Sequence, residues 1–128
     1  MRVLLDTHTF LWIEENHPSL STRVFELIRD RTHDIFLSHV SIWEIQIKLS
    51  VGKLSTKLPL NERVALAQST NGLGLLPIEP DHIYTLNDLP FHHRDPFDRL
   101  LIAQAIHEGL PTLSKDEKFQ AYPIQLVW

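Results

Sequence analysis

Residues 92–105 read HHRDPFDRLLIAQA. Asp95 and Asp98 flank a Pro-Phe pair at the mouth of the most apolar helix pattern in the chain, Phe97 to Ile106, which Gly109 and Pro111 stop. Neither acid needs a substrate to explain it locally. Asp95 makes a good N-cap, Pro96 suits the first helical position, and Asp98 falls in the first turn. An acid there gains about 0.3–1 kcal/mol from the helix dipole. A helix this apolar belongs inside a protein, packed on other elements. Its neighbours along the chain therefore decide the fold.

Outward from that helix, short apolar runs alternate with amphipathic stretches. On its C-terminal side, 111–113 and 124–127 suit two short strands. On its N-terminal side, 73–78 suits a strand and 83–86 a short helix. Leu60, Val64 and Ala67 mark another helix, with Pro59 near its start and Asn71-Gly72 near its end. Ile35-Phe36-Leu37 is a buried strand candidate. Leu20, Val24, Leu27 and Ile28 share one helical face. Val3-Leu4-Leu5 is a buried strand candidate ended by Asp6, and a helix follows through Trp12 and Ile13, closing before Asn16-His17-Pro18. Strands alternating with helices predict a mainly parallel sheet with helices on both faces. In such folds, ligands bind beyond the carboxyl ends of the strands.

The segment 41–51 fits two patterns at once. Ile45 to Val51 alternates apolar and polar residues, as a half-exposed strand does. Yet Ile42, Ile45 and Leu49 share one helical face, and Trp43, Ile47 and Val51 share a second. Periodicity does not decide between them. A helix with two apolar stripes is expected to be covered on two sides, by the core and by a partner.

A chain of 128 residues is long enough for one core with two layers of helices around a sheet, so 1–128 is expected to be a single domain. Its 43% hydrophobic and 22% charged residues are ordinary for a globular protein. The lack of cysteine excludes disulfides and zinc-thiolate sites and suits a reducing compartment. The start, MRVLLDTHTF, is too short in apolar residues for a secretory signal, and no run approaches the roughly 18 apolar residues of a membrane span. A cytoplasmic protein without a membrane partner is expected. Twelve basic against sixteen acidic residues give a net charge of −4, which argues mildly against a nucleic-acid binder. A divalent cation among clustered acids relaxes that objection, because it offsets them locally.

Asp6, Glu44, Asp98 and Asp116 form such a candidate cluster. Each has a bland explanation. Asp6 can cap the helix after it. Ser41 to Glu44 has the form of a capping box, as does Ser114 to Glu117, which leaves Asp116 without a task. Taken together, the four acids read differently. Asp6 ends the first strand, Glu44 follows the second by a short turn, Asp98 follows the third by a helix, and Asp116 lies just past the strand near Thr112. In a parallel sheet those locations share one edge. Carboxylates crowded there without cations repel one another. Hard oxygen ligands suit Mg²⁺ or Mn²⁺, which can activate water and stabilise charge on a phosphodiester.

The segments LLDTHTFLW (4–12), SIWEIQIKLSVGKL (41–54), HRDPFDRLLIAQA (93–105) and TLSKDEKF (112–119) resemble, in order and spacing, the PIN-domain ribonucleases. They look most like the VapC-like toxin branch of type II toxin–antitoxin pairs. The resemblance runs from about Val3 to Val127. It implies a three-layer α/β/α sandwich with a mainly parallel central sheet, and a helix over 41–51. It also implies a metal-dependent endoribonuclease using Mg²⁺, with Mn²⁺ as an alternative, and leaving a 5′-phosphate and a 3′-hydroxyl. By the same resemblance, Asp6, Glu44, Asp98 and Asp116 are the catalytic metal ligands, with Asp6 and Asp98 central. The implied partners are an RNA substrate, an antitoxin whose tail obstructs the site, and a second copy of the chain.

The residues around the acids carry weaker expectations. Thr7 and Ser114 each sit beside an acid and can orient water or a phosphate oxygen, or simply satisfy helix-start N–H groups. Asp95 is assigned a capping or supporting role. Arg94, Arg99, Lys115 and Lys118 can meet RNA phosphates, and Arg99 can instead pair with a carboxylate of the cluster. Lys48, Lys53 and Lys57 suggest a basic stripe, although solvated surface explains them as well. His92 and His93 do not suit a shared transition metal, because adjacent side chains diverge and no H-x₃-H spacing accompanies them. Trp12, Trp43 and Phe36 read as core rather than base-stacking platforms, with the second apolar stripe as the alternative place for Trp43. Rival functions fit less well. A silent binding module needs no acid cluster. A haloacid-dehalogenase-like enzyme needs an acid at position 8, where the chain has His. A receiver domain places paired acids after its first strand, and Asp6 is followed by Thr7. A DNA nuclease of related chemistry stays open, because an acid cluster does not read the 2′-hydroxyl.

Overall fold

The apolar run near the start of the chain becomes the central strand of the sheet in the computed structural model, which describes all 128 residues. Strand β1 (Arg2–Leu5) lies between β2 (Asp34–Ser38) and β4 (Thr112–Leu113). Strands β3 (Gly74–Leu76) and β5 (Leu126–Val127) form the edges, giving the order β3-β2-β1-β4-β5. Every pairing is parallel.

Successive side chains of a strand point to opposite faces, and both faces of β1 are buried. Val3 and Leu5 join one apolar cluster, and Leu4 joins the other. The first cluster is closed by α1 (Thr7–Glu15), α2 (Thr22–Arg29), α3 (His39–Ser50) and α4 (Leu60–Asn71), through Phe10, Val24, Ile45 and Val64 among others. The second lies under α6 (Pro96–Glu108), through Leu101, Ile102 and Ala105. Helix α5 (Pro80–Thr85) packs on α6. The result is the expected α/β/α sandwich, with a sheet that is wholly parallel.

Local signals set most boundaries. Asp95 accepts N–H bonds from Phe97 and Asp98 at 2.9 and 3.0 Å, Pro96 follows, and Gly109 ends α6 with φ +65°, where a Cβ would be strained. Asn16 ends α1 in the same left-handed region.

Several expectations are corrected. The ambiguous segment is helical, as the resemblance implies, but its cap is Ser38, whose Oγ accepts from the Val40 N–H at 3.0 Å. Ser41 therefore sits inside the helix, and no capping box joins it to Glu44. The second expected box also fails: Asp116 itself caps the 3-10 turn Glu117–Ala121 by accepting from the Lys118 N–H at 2.9 Å. Leu20 packs on the core but lies before the Ser21 cap of α2. The helix expected at 83–86 starts earlier, at Pro80, and the strand expected over 73–78 shrinks to three residues. Ile45 is buried as expected, but the second stripe of α3 is bare, with Trp43 54% and Val51 61% exposed. Trp43 is thus not core.

Candidate active site

The sheet register gathers the acids. Leu5 lies opposite Leu37 on one side and Leu113 on the other, so Asp6, Ser38 and Ser114 are the first residues past one edge. Asp6 caps α1 there. Helix α3 starts at that edge and carries Glu44 inward, and Asp116 follows Ser114 by two residues. Helix α6 packs against α3, and an edge-on contact of 5.0 Å between Trp43 and Phe97 joins them. Glu44 and Asp98 are the residues that follow that aromatic pair.

Each acid is held differently. Asp6 is buried; Oδ1 accepts from the Thr9 N–H at 2.7 Å and Oδ2 from the Ser114 hydroxyl at 2.5 Å. Burial raises its pKa, while the bonds from Ser114 and Thr9 and the nearby His8 oppose the rise. Glu44 is also buried. Its Oε1 accepts from the Thr7 hydroxyl at 2.8 Å, and its Oε2 pairs with Lys48 Nζ at 2.9 Å. Thr7 therefore serves a carboxylate, and Ser114 does both: it donates to Asp6 and accepts from the Asp116 N–H at 3.0 Å. Lys48 is committed to Glu44, so it is not a free member of a basic stripe.

Asp98 registers the convergence. Burial, then the charges of Asp95, Glu44, Asp116 and Asp6, push its pKa up to about 7. Asp95 caps α6 as expected and adds charge from outside. Arg99 contradicts both of its expected roles: its guanidinium donates to the carbonyls of Pro90 at 2.8 Å and Leu89 at 3.2 Å and lies 3.9 Å from the Phe91 ring. It ties down the loop before α6 and is neither paired with a carboxylate nor open to RNA. Asp6, His8, Trp12, Lys115 and Asp116 line an open cleft of about 320 Å³ at the cluster.

His93 enters the same site. Its Nδ1 is 2.9 Å from the Tyr122 hydroxyl, and its Nε2 lies 3.5 Å from Asp98 Oδ2, buried without a hydrogen-bond partner. Burial lowers its pKa, so the ring is neutral near pH 7. His92 turns outward, edge-on to Tyr122. The two imidazoles diverge as their adjacency requires. The expectation about a shared metal covered only the pair, and it missed the one that faces the acids.

The donor set suits a hard divalent cation: carboxylate oxygens, with no thiolate. Like charge at Asp98 is the strain that such a cation relieves. No three residues of the acid cluster bring ligating oxygens within 4.8 Å of one another. The arrangement suits a cation held by one or two carboxylates and met by the others through water, as Mg²⁺ commonly is. The one trio of side chains with ligating atoms that close is His82, His107 and Glu108, at the other end of α6.

The PIN domain family matches residues 3–125 of the chain. Among solved structures, a chain of VapBC2 from Rickettsia felis, bound to a DNA fragment from their promoter, superposes with a TM-score of 0.75 at 19% identity, covering 99% of this chain and 98% of that one. DNA-bound VapBC from Salmonella typhimurium gives 0.70 at 16% identity, covering 99% and 97%. VapBC-5 from Mycobacterium tuberculosis, of the VapBC family of toxin–antitoxin systems, gives 0.61 at 20% identity, covering 98% and 97%. At these identities the likeness is one of fold. No curated protein matches the chain significantly.

Proposed function

The chain belongs to the PIN-domain family, and from that premise we propose that it is a divalent-cation-dependent endoribonuclease, the toxin of a toxin–antitoxin pair. The observation that carries the proposal is the gathering of Asp6, Glu44 and Asp116 around Asp98, whose pKa is pushed up to about 7 by burial first, then by Asp95, and then by these three acids. When bound, Mg²⁺ or Mn²⁺ supplies Lewis acidity, making water a better nucleophile and offsetting charge on the phosphodiester. Asp6 and Asp98 hold the cation, and Glu44 and Asp116 complete its surroundings directly or through water. Ser114 and Thr7 keep Asp6 and Glu44 in place through the bonds described above. Lys48 neutralises part of Glu44. Lys115 and His8, on the cleft wall, meet the phosphate backbone of the RNA. No histidine general base is required.

The toxin assignment implies an antitoxin partner, and one of the superposable structures, VapBC-5, is a member of a family of toxin–antitoxin systems. The bare stripe of Trp43, Ile47 and Val51 supports a protein partner for this chain, and a homodimer is proposed with it. A cytoplasmic location is proposed too; no helix is long and apolar enough to cross a membrane.

The test is RNA cleavage by highly purified protein with and without Mg²⁺, beside Asp6→Asn and Asp98→Asn. Cleavage is expected to need the cation and to vanish in both variants, with the fold intact by circular dichroism. Cleavage that survives chelation, or that either variant retains in full, refutes the proposal.

A further inference from the structure

The buried ring of His93 has one nitrogen held and one nitrogen idle. Its side chain is 10% exposed, and it packs between Tyr122 (ring centroids 5.4 Å apart) and Phe119 (6.4 Å). The loop that carries it is anchored by Arg99 through the Leu89 and Pro90 carbonyls, and Tyr122 is itself buried. The ring is thus fixed from three directions. A buried polar atom without a partner is costly to maintain, so an idle Nε2 at the edge of an acid cluster asks for an acceptor or a ligand.

The surroundings choose the tautomer. A neutral imidazole carries one proton. With Asp98 ionised, as cation binding requires, and the proton on Nδ1, a bare Nε2 lone pair would face Asp98 Oδ2 at 3.5 Å, lone pair against lone pair in a buried setting. With the proton on Nε2, the approach is attractive, and the Tyr122 hydroxyl donates to Nδ1 across 2.9 Å. At 3.5 Å the N–H and the carboxylate are just beyond hydrogen-bond range, and a shift of a few tenths of an ångström closes the bond.

We propose that His93 is a positioning residue: locked by Tyr122, it presents Nε2–H to Asp98 and orients that carboxylate for the cation. The inference rests on the cation site proposed above. Groups that orient metal ligands through hydrogen bonds set both ligand direction and affinity. Here the fixed element is the histidine and the oriented ligand is the acid. Tyr122 lies 24 residues past Asp98 and touches no acid of the cluster, yet it is part of the site through this relay.

The experiment measures Mg²⁺ and Mn²⁺ affinity by calorimetry on the full chain, in the wild type, His93→Leu, His93→Gln and Tyr122→Phe, with cation-free melting curves to confirm folding. Glutamine keeps an N–H near the position of Nε2; leucine fills the space without one. His93→Leu is expected to weaken both cations by about tenfold or more, whereas His93→Gln stays within about threefold of the wild type and Tyr122→Phe falls between. Nitrogen-15 spectra of the cation-free wild type at about pH 8.5, where Asp98 is ionised, are expected to show the proton on His93 Nε2. Equal affinities for the Leu and Gln variants, or a bare Nε2, overturn the positioning role. Loss of Mn²⁺ that Gln does not rescue, with Mg²⁺ binding unchanged, makes His93 a ligand itself and also overturns it. A wild-type chain that binds neither cation overturns the underlying site, and that outcome is distinct from the others.

Discussion

Helix α6 carries a cluster of ionisable groups at each end, about 15 Å apart along its axis. At its start, Asp98 meets Asp6, Glu44, Asp116 and His93; at its end, His107 and Glu108 meet His82 from α5. By distance alone, the second cluster is the better metal site, since its ligating atoms lie within 4.8 Å. Hydrogen bonding reverses the ranking. His82 Nδ1 accepts the Glu79 N–H at 2.9 Å, which leaves the ring's proton on Nε2, facing Glu108 Oε1 at 2.8 Å. No lone pair of His82 is left for a cation. Its imidazole closes the first turn of α5 and ties α5 to α6. The first cluster has the opposite condition: like charges brought together and a buried His93 Nε2 without a hydrogen-bond partner. The cation proposed above is therefore assigned to the end where charge is uncompensated, and not to the end where the ligating atoms lie closest.

The comparison can be broken at several points. The largest effect is expected on cleavage: Asp98→Asn should slow it by about a thousandfold, the several kcal/mol that a bound cation supplies, while Glu108→Gln leaves it unchanged. Single-turnover assays on a labelled RNA measure both. Next is stability at the other end. His82→Leu should cost about 2–4 kcal/mol in urea unfolding, because it strands the Glu79 N–H and the Glu108 carboxylate, with no change in Mn²⁺ affinity. A drop in Mn²⁺ affinity there would make the second cluster a metal site after all.

The pH response separates the clusters more gently. Asp98 holds its proton in the folded chain up to about pH 7, whereas the unfolded chain releases it near 3.8. The folded state therefore binds more protons across that window, and stability falls as pH rises through it. Cation-free protein should melt at a lower temperature at pH 7.5 than at pH 5, and Asp98→Asn should flatten that slope. A slope unaltered in that variant would remove Asp98 as its origin. The smallest effect belongs to Glu108→Gln, which keeps an acceptor for His82 and should cost less than about 1 kcal/mol by the same urea measurement.

Local chemistry made much of the fold legible. Asp95, Pro96 and Gly109 bound α6 through interactions within a few residues, and the Val3–Leu5 run needs burial on two faces wherever it sits. The acids at strand ends were legible for a similar reason, since a parallel sheet sends successive strand ends to one edge. The segment 41–51 was not, because periods of two and of 3.6 both fit it; the Ser38 cap and burial of Ile45 decide it in three dimensions. The Ser-x-x-Glu matches at 41 and 114 misled because that pattern satisfies a helix start in isolation, while the real caps, Ser38 and Asp116, were fixed by where the strands end. Lys48, four residues after Glu44, carries a helical pairing signal. The contact of His93 with Tyr122 spans 29 residues and has no periodicity to betray it.

The bond between Asp6 and Ser114 also orders events in time. Strand β1 finds its second neighbour only when β4 exists, 108 residues after the first acid of the site. Translation at about 5–20 residues per second keeps Asp6 waiting roughly 5–20 s for that partner. A nascent chain broken off before Thr112 has three of the five strands and lacks Ser114 and Asp116, so under the function proposed above an unfinished copy carries an incomplete site.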